Sequence, residues 1–507
     1  MNPDYGWGTK DEDDRTVRFS VDRRDVEATG SIQKARDPQY DPATGTVKPV
    51  GSLGPWQAAI IFITNEVGIG ILSLPAALNV LGLIPGIISI IGMGTLSLYT
   101  AYILVQFYRR YPHVVNIVDY GRIIGGKPLE VIFAIGFIIN LSLISASAVI
   151  TMSIGINTIS EHAACTVIWI GIACLACYLL CLPRTMMFVS HCGWPCTVSI
   201  VAAVIIPMAA LGVSGPANAP PGSSIAIKLV GNPTFSEAVS SFLNIGFAFT
   251  GNQAFVTVLV EMRDPARDFT KAILIEKPFA IAIYTTVAIA CYCLAGEYIT
   301  SPAIGAAPVT TAKISYGIIF ISLLGTGLVF GHTSIKYLFV VVMRHLSFFE
   351  RRSSPLRKRS RGVRGGNRKP SVEADMMRRR QSQPHDSRSV VSWIAWIAIA
   401  TAFWILVFVI ANAIPVFNSL LNISSSILLA WFTWGFPVVF WFHLNWKKMF
   451  STWKKTVLVV LNVFILAIVV FMNTAGMYAS VDGLLTIFAD PDGEVNGPFT
   501  CADNSIF

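Results

Sequence analysis

The fold class predicted by this sequence is an all-α polytopic membrane protein with about eleven transmembrane helices, and three observations carry the prediction. The 507-residue chain is 53% hydrophobic and 13% charged, with a mean hydropathy of +0.60, a balance that suits a bilayer and not water. Its apolar residues come in runs of about twenty without acid or base, where a soluble core helix would show a polar stripe or stop sooner. Basic residues also crowd into alternate connections between those runs.

The runs predict helices at 54–78, 83–107, 129–158, 164–182, 193–213, 236–260, 272–296, 314–344, 390–413, 416–442 and 454–478. Residues 1–52 are polar, mix both signs of charge and hold no signal-peptide core, so they are expected as a disordered cytoplasmic tail. A transmembrane domain over 53–480 follows, containing a basic cytoplasmic loop at 345–389, and residues 481–507 form an extracytoplasmic tail.

Orientation rests on arginine and lysine, which stay on the cytoplasmic side during insertion. One set of connections holds about 34 of the 38 basic residues, including Arg109, Arg110, Arg122, Lys127, Arg184, Arg263, Arg267, Lys271 and Lys447. The opposite set has Lys228 and Lys313. The N-terminus is therefore inside, and an odd number of spans puts the acidic C-terminal tail outside.

Most of the nine cysteines lie within apolar runs, where a thiol packs as a small hydrophobe. Cys174 and Cys177 have a CxxC spacing, but no second pair or histidine stands at zinc spacing, and no metal is expected. Cys165 and Cys501 both fall on the outer side, where a disulfide is chemically permitted. The basic loop reads first as a solvated segment that sets topology; anionic lipids, or kinases acting at Ser353, Ser360 or Ser382, are the alternative partners. No folded basic platform accompanies the charge, which argues against nucleic acid.

Two runs are interrupted. The first contains NEVGIGILSLP, residues 65–75, where Gly68, Gly70 and Pro75 weaken a helix at mid-membrane. The sixth contains FAFTGNQAF, in which Thr250, Gly251, Asn252 and Gln253 break an apolar stretch. The interruptions stand about 180 residues apart, as do the starts of the runs that follow them, so the chain reads as two halves of five helices, and an odd number inverts one half relative to the other. A broken helix exposes amide hydrogens that suit a carboxylate and carbonyls that suit an ammonium group, and a zwitterion needs both. The bland alternative is that glycine permits close packing and proline merely kinks.

At these residues the chain resembles the amino acid/auxin permease (AAAP) family, and within it the fungal neutral amino-acid permeases. The matching pieces are NEVGIGILSLPAAL, the inner loop with Asp119, Tyr120 and Gly121, and FAFTGNQAFVTVLVEMRDPARDF. The resemblance covers roughly 50–480 and implies a leucine-transporter-like fold, a 5+5 inverted repeat plus one extra helix, with amino-acid uptake driven by protons or sodium. It implies substrate contacts at Val67, Gly68, Ile69 and Gly70 in the first span and at Phe247, Ala248, Thr250, Gly251 and Asn252 in the sixth. Glu66 departs from many sodium-coupled relatives, which have no acid there.

Charges inside the bilayer are costly, so each needs a reason. Glu66 lies about eighteen ångströms from the inner start of its helix, near mid-depth, and is the first candidate to carry a coupling proton. His332 and Lys336 share a face of the eighth span and are the further coupling candidates; the fold that the resemblance implies packs this span beside the inner half of the first, which makes Lys336 or His332 the expected partner of Glu66. His191 reads as interfacial and Glu261 as an inner gate or cap. Ser322 and Thr326, also one turn apart, are the candidate hydroxyl ligands if sodium is the coupling ion.

An enzyme is not expected, because the seven histidines show no HxxxH or HExxH grouping and no acid pair accompanies a nucleophile. The expected function is a secondary active transporter, a proton-coupled symporter of neutral, aromatic or large aliphatic, amino acids, with no organic cofactor. A sodium-coupled transporter and a non-transporting amino-acid sensor on the same scaffold are the alternatives. Both the plasma membrane, the first expectation, and the vacuolar membrane accept the topology.

Overall fold

The computed structural model describes residues 39–41, 46–48, 53–112, 114, 116–184, 186–220, 225–259, 262–353, 390–489, 497–501 and 504. Two short antiparallel strands, β1 (Gln39–Asp41) and β2 (Thr46–Lys48), pair within the stretch expected to be an unstructured tail. Apart from the interruptions in 54–78 and 236–260, the described residues of the apolar runs marked in the sequence are almost entirely helical. In chain order the helices are α1 (Pro55–Glu66), α2 (Leu74–Leu81), α3 (Leu83–Arg110), α4 (Ile117–Ser160), α5 (Thr166–Cys181), α6 (Met186–Ser214), α7 (Phe235–Ala248), α8 (Asn252–Leu259), α9 (Pro265–Ala295), α10 (Val309–Ser353), α11 (Val390–Ala413), α12 (Phe417–Ser424), α13 (Phe436–Asn445) and α14 (Trp453–Ala489).

Eight helices among the described residues are long and apolar enough to cross a membrane, α12 and α13 counting there as one. The pairs α1–α2 and α7–α8 are the two interrupted spans, and α5 is a shorter apolar helix. Large apolar side chains such as Ile88, Val131, Ile132, Leu175, Val198 and Val460 point outward, the reverse of a water-soluble surface. The molecule is an integral, multi-pass membrane protein.

Local chemistry explains several boundaries. Pro55 opens α1, where its missing N–H costs nothing, and the Gln57 side chain accepts from the Gly54 amide at 2.9 Å. Thr234 and Glu237 form a reciprocal cap on α7. The third span was expected from 129, but α4 begins at Ile117, where Asn116 caps the Asp119 amide at 3.0 Å. Non-helical backbone at Gly125 and at Gly126, the latter at φ 70°, separates a short inner stretch from the long span. Likewise α14 passes the expected boundary at 480 and runs to Ala489.

The tenth span is not regular α-helix. Between α12 and α13 lie two π-helical segments, Ser425–Leu429 and Trp431–Gly435. Asn473 of α14 reaches into them, donating to the Ser426 carbonyl and accepting from the Trp431 indole N–H. The cysteines of α5 pack against α10, with Cys177 against Gly327 and Cys181 against Gly331. Cys165 and Cys501 are bonded. Further bonds hold the tail to the bundle, among them Phe499 N–H to the Asn412 carbonyl at 2.9 Å, Asn157 Nδ2 to Asn504 Oδ1 at 2.6 Å and Asn504 Nδ2 to Ser153 Oγ at 3.4 Å.

Candidate functional site

The first break follows from two glycines placed one residue apart. Val67 leaves helical geometry at φ −79°, ψ 80°, Gly68 lies at φ −133°, ψ −130°, and one 3-10 turn over Ile69–Leu72 precedes α2. The Ser73 hydroxyl donates to the Gly70 carbonyl at 3.0 Å, and Pro75 falls in the first turn of α2. In the second break α7 stops at Ala248 and the chain resumes helically at Asn252. The Thr250 hydroxyl donates to the Phe247 carbonyl at 2.7 Å. Asn252 Nδ2 is shared among the Ser97 carbonyl at 3.1 Å, Thr100 Oγ1 at 3.1 Å and the Thr433 carbonyl at 3.4 Å, so this break is tied to α3 and to the π-helical span.

The breaks meet. A Cβ placed on Gly70 would stand 2.6 Å from Ala248 Cα, so the two backbones touch where side chains would otherwise hold them apart. Residues 66–74 and 245–253, wherever their side chains are described, are buried. One phenol joins the corresponding ends: the Tyr284 hydroxyl of α9 lies 2.5 Å from the Glu66 carbonyl and 3.0 Å from the Ala248 carbonyl. Those carbonyls close the first halves of the two interrupted helices, where partial negative charge collects, while the resuming turns start with amides. Helix ends of both polarities therefore converge within one buried site.

The charge beside the first break is not partnered as the sequence suggested. Glu66 Oε2 receives a direct bond from Lys277 Nζ of α9, and neither Lys336 nor His332 is its partner. Glu276 stands beside the same ammonium at 3.6 Å. The Glu66, Glu276 and Lys277 side chains are all fully buried. Glu66 also spans to the other break, since a Cβ on Gly251 would fall 2.5 Å from its Oε2. The sequence reading passed over Glu276 and Lys277, although the EKP tripeptide at 276–278 in the middle of an apolar run was the available signal; Tyr284 had none.

The remaining candidates separate. Thr326 faces the first break, its Oγ1 being 3.7 Å from where a Gly68 Cβ would sit, and its hydroxyl donates to the Ser322 carbonyl at 3.0 Å. His332 is buried against Trp396, with ring centroids 5.4 Å apart, and Lys336 is half-buried one turn further along α10. Glu261, Ser360 and Ser382 lie outside the described residues, as do the side chains of His191 and Ser353.

Beside the charges lies an apolar plug. Phe62 of α1, Phe255 of α8 and Phe269 of α9 pack with ring centroids 4.3, 5.3 and 5.8 Å apart, amid Ala58, Ala59, Val105, Leu259 and Ile273. The Lys277 ammonium sits 5.1 Å from the Phe255 ring, directly against this plug.

Residues 51–481 match the family described as "Transmembrane amino acid transporter protein". A "Transmembrane transporter" of Fusarium pseudograminearum is 28% identical over 457 residues, covering 89% of this chain and 88% of the relative. The "N amino acid transport system protein" of Neurospora crassa is 27% identical over 456 residues, with 89% and 88% covered. Among solved structures, the nucleobase-cation-symport-1 family transporter MHP1 aligns with a TM-score of 0.48 at 13% identity, covering 89% of this chain and 93% of that one. MhsT in complex with L-phenylalanine aligns with a TM-score of 0.45 at 12% identity, covering 85% and 99%.

Proposed function

Because this chain belongs to the transmembrane amino acid transporter protein family, we propose that it is a proton-coupled symporter that moves neutral amino acids by alternating access. The observation that carries this reading is the contact of two helix breaks at Gly70 and Ala248, deep in the bundle, with helix ends of both polarities around them. The substrate carboxylate is read as resting on the amides around Gly68, Ile69 and Gly70, and its ammonium on carbonyls of Phe247, Ala248 and Thr250. Gly251 and Asn252 hold the second break open. The charged groups at the breaks are engaged with one another, Glu66 with Lys277, which supports a substrate without a charged side chain. The plasma membrane is the proposed location.

Proton coupling is favoured because buried carboxylates adjoin the breaks and outnumber the cations beside them, leaving room for one exchangeable proton. A sodium-coupled transporter is the second reading, favoured by Thr326, whose hydroxyl faces Gly68. Purified protein in vesicles separates the readings. Radiolabelled amino acid accumulating against its gradient under an acid-outside pH step, with sodium absent, is the expected result. Accumulation only with an inward sodium gradient would favour the second reading, and saturable binding without accumulation would favour a sensor.

A further inference from the structure

We propose that Glu276, and not Glu66, is the carboxyl group that takes up and releases the transported proton, while Lys277 holds Glu66 as a standing ion pair. The proposal rests on the symport reading above and deepens it.

The geometry divides the trio unequally. Lys277 bonds Glu66 directly, whereas Glu276 reaches the same ammonium only at 3.6 Å. Neither oxygen of Glu276 has a hydrogen-bond partner, although the side chain is fully buried. One ammonium can neutralise one carboxylate, so the trio carries one negative charge in excess when every group is ionised. Desolvation makes that excess costly, and binding a single proton removes it. The groups facing Glu276 are Glu66 from α1 and Lys277 and Tyr284 from its own helix. Of these, Glu66 is committed to Lys277 through Oε2 while its Oε1 is buried without a hydrogen-bond partner, and Tyr284 spends its hydrogen on the Glu66 and Ala248 carbonyls. Glu276, with both oxygens unbonded and the ammonium farther away, is the less compensated of the two carboxylates and the one to which the proton is assigned.

The balance is simple. A proton from the outer water joins the Glu276 carboxylate, giving the neutral acid and a trio of zero net charge. Release into the cytoplasm restores the carboxylate, and one positive charge has crossed with each zwitterion. Phe62, Phe255 and Phe269 shut the inner route in this conformation, so release requires α1, α8 and α9 to part. Glu66 touches both breaks through Lys277 and Gly251, which gives substrate in the site a physical route to the protonation state of its neighbour.

The test uses the full-length protein in sodium-free vesicles, with wild type, Glu276→Gln and Glu66→Gln compared. For one proton per substrate, wild type accumulates up to about ten-fold per unit of pH gradient. Glu276→Gln is expected to reach an accumulation ratio of about one, with amino-acid exchange across the membrane reporting that folded carrier is present. Accumulation by Glu276→Gln that follows the pH gradient as wild type does would overturn the proposal and leave symport standing. A wild type that exchanges but never accumulates under a pH gradient would instead overturn the symport reading and this assignment with it. If Glu276→Gln shows no exchange, infrared difference spectra between acid and alkaline buffer decide. The protonated-carboxyl band should move in Glu276→Asp and stay in Glu66→Asp, and the opposite result refutes the assignment.

Discussion

Replacing Gly70 by alanine is the most direct probe of the two helix breaks. The added methyl would lie 2.6 Å from Ala248 Cα and 2.9 Å from its Cβ. Ordinary contact needs about 3.4 Å or more, so one break must retreat from the other by about 0.8 Å. The obstructing atoms are backbone, which cannot swing aside as a flexible side chain can. Displacement of that size across a site built to hold reacting or binding groups costs on the order of a hundred-fold, and substrate uptake should fall accordingly. Gly92→Ala is the control, because a Cβ there meets nothing within 4 Å. Initial rates of uptake, normalised to protein that survives detergent extraction as a monodisperse peak, make the comparison. Wild-type kinetics in Gly70→Ala would show that the junction of the breaks does not form the substrate site.

Lys277→Met leaves two buried carboxylates without their cation, and breaking such a pair costs about 3–5 kcal/mol, measured as early loss of the monodisperse peak on heating. Glu66→Gln/Lys277→Met should recover part of that loss, and strictly additive losses would argue against their pairing. Tyr284→Phe removes the hydrogen bond that bridges the Glu66 and Ala248 carbonyls while the Glu66 carbonyl keeps the Gly68 amide at 2.9 Å, a loss of about 1 kcal/mol that should raise the half-saturating substrate concentration by roughly five-fold. On the outer surface the Lys313 ammonium, bonded at 2.6 Å, holds the Glu161 carboxyl below its usual range. Its folded-state value is depressed, so any contribution to stability is present above the ordinary glutamate range and is lost as pH falls through the folded value. Because Glu161 is exposed, Glu161→Gln should leave heat stability at neutral pH unchanged, and a clear loss would contradict the screening argument. Cys165→Ser frees the C-terminal tail from α5 and should lower heat stability by about 2–4 kcal/mol, a change that reductant alone should reproduce in wild type.

Sequence alone determined the membrane class, the helical runs and the two interrupted spans. Each is written in one dimension: a bilayer demands about twenty apolar residues per crossing, and paired glycines weaken whichever helix contains them. NEVGIGILSLP and FAFTGNQAF therefore announce their breaks without reference to any neighbour. Tertiary structure decided which groups those breaks face. Glu66 looked destined for His332 and Lys336 because charges in apolar runs seek one another, yet α9 lies nearer and supplies Lys277. Glu276 and Lys277 are adjacent in sequence, and nothing local says that α1 will bring a third charge against them. Tyr284 is an ordinary aromatic residue until the carbonyl ends of α1 and α7 converge on its hydroxyl. Periodicity along a chain reports how each helix meets its solvent, whereas an ion pair or a shared proton depends on distances between helices, and those exist only once the bundle has packed.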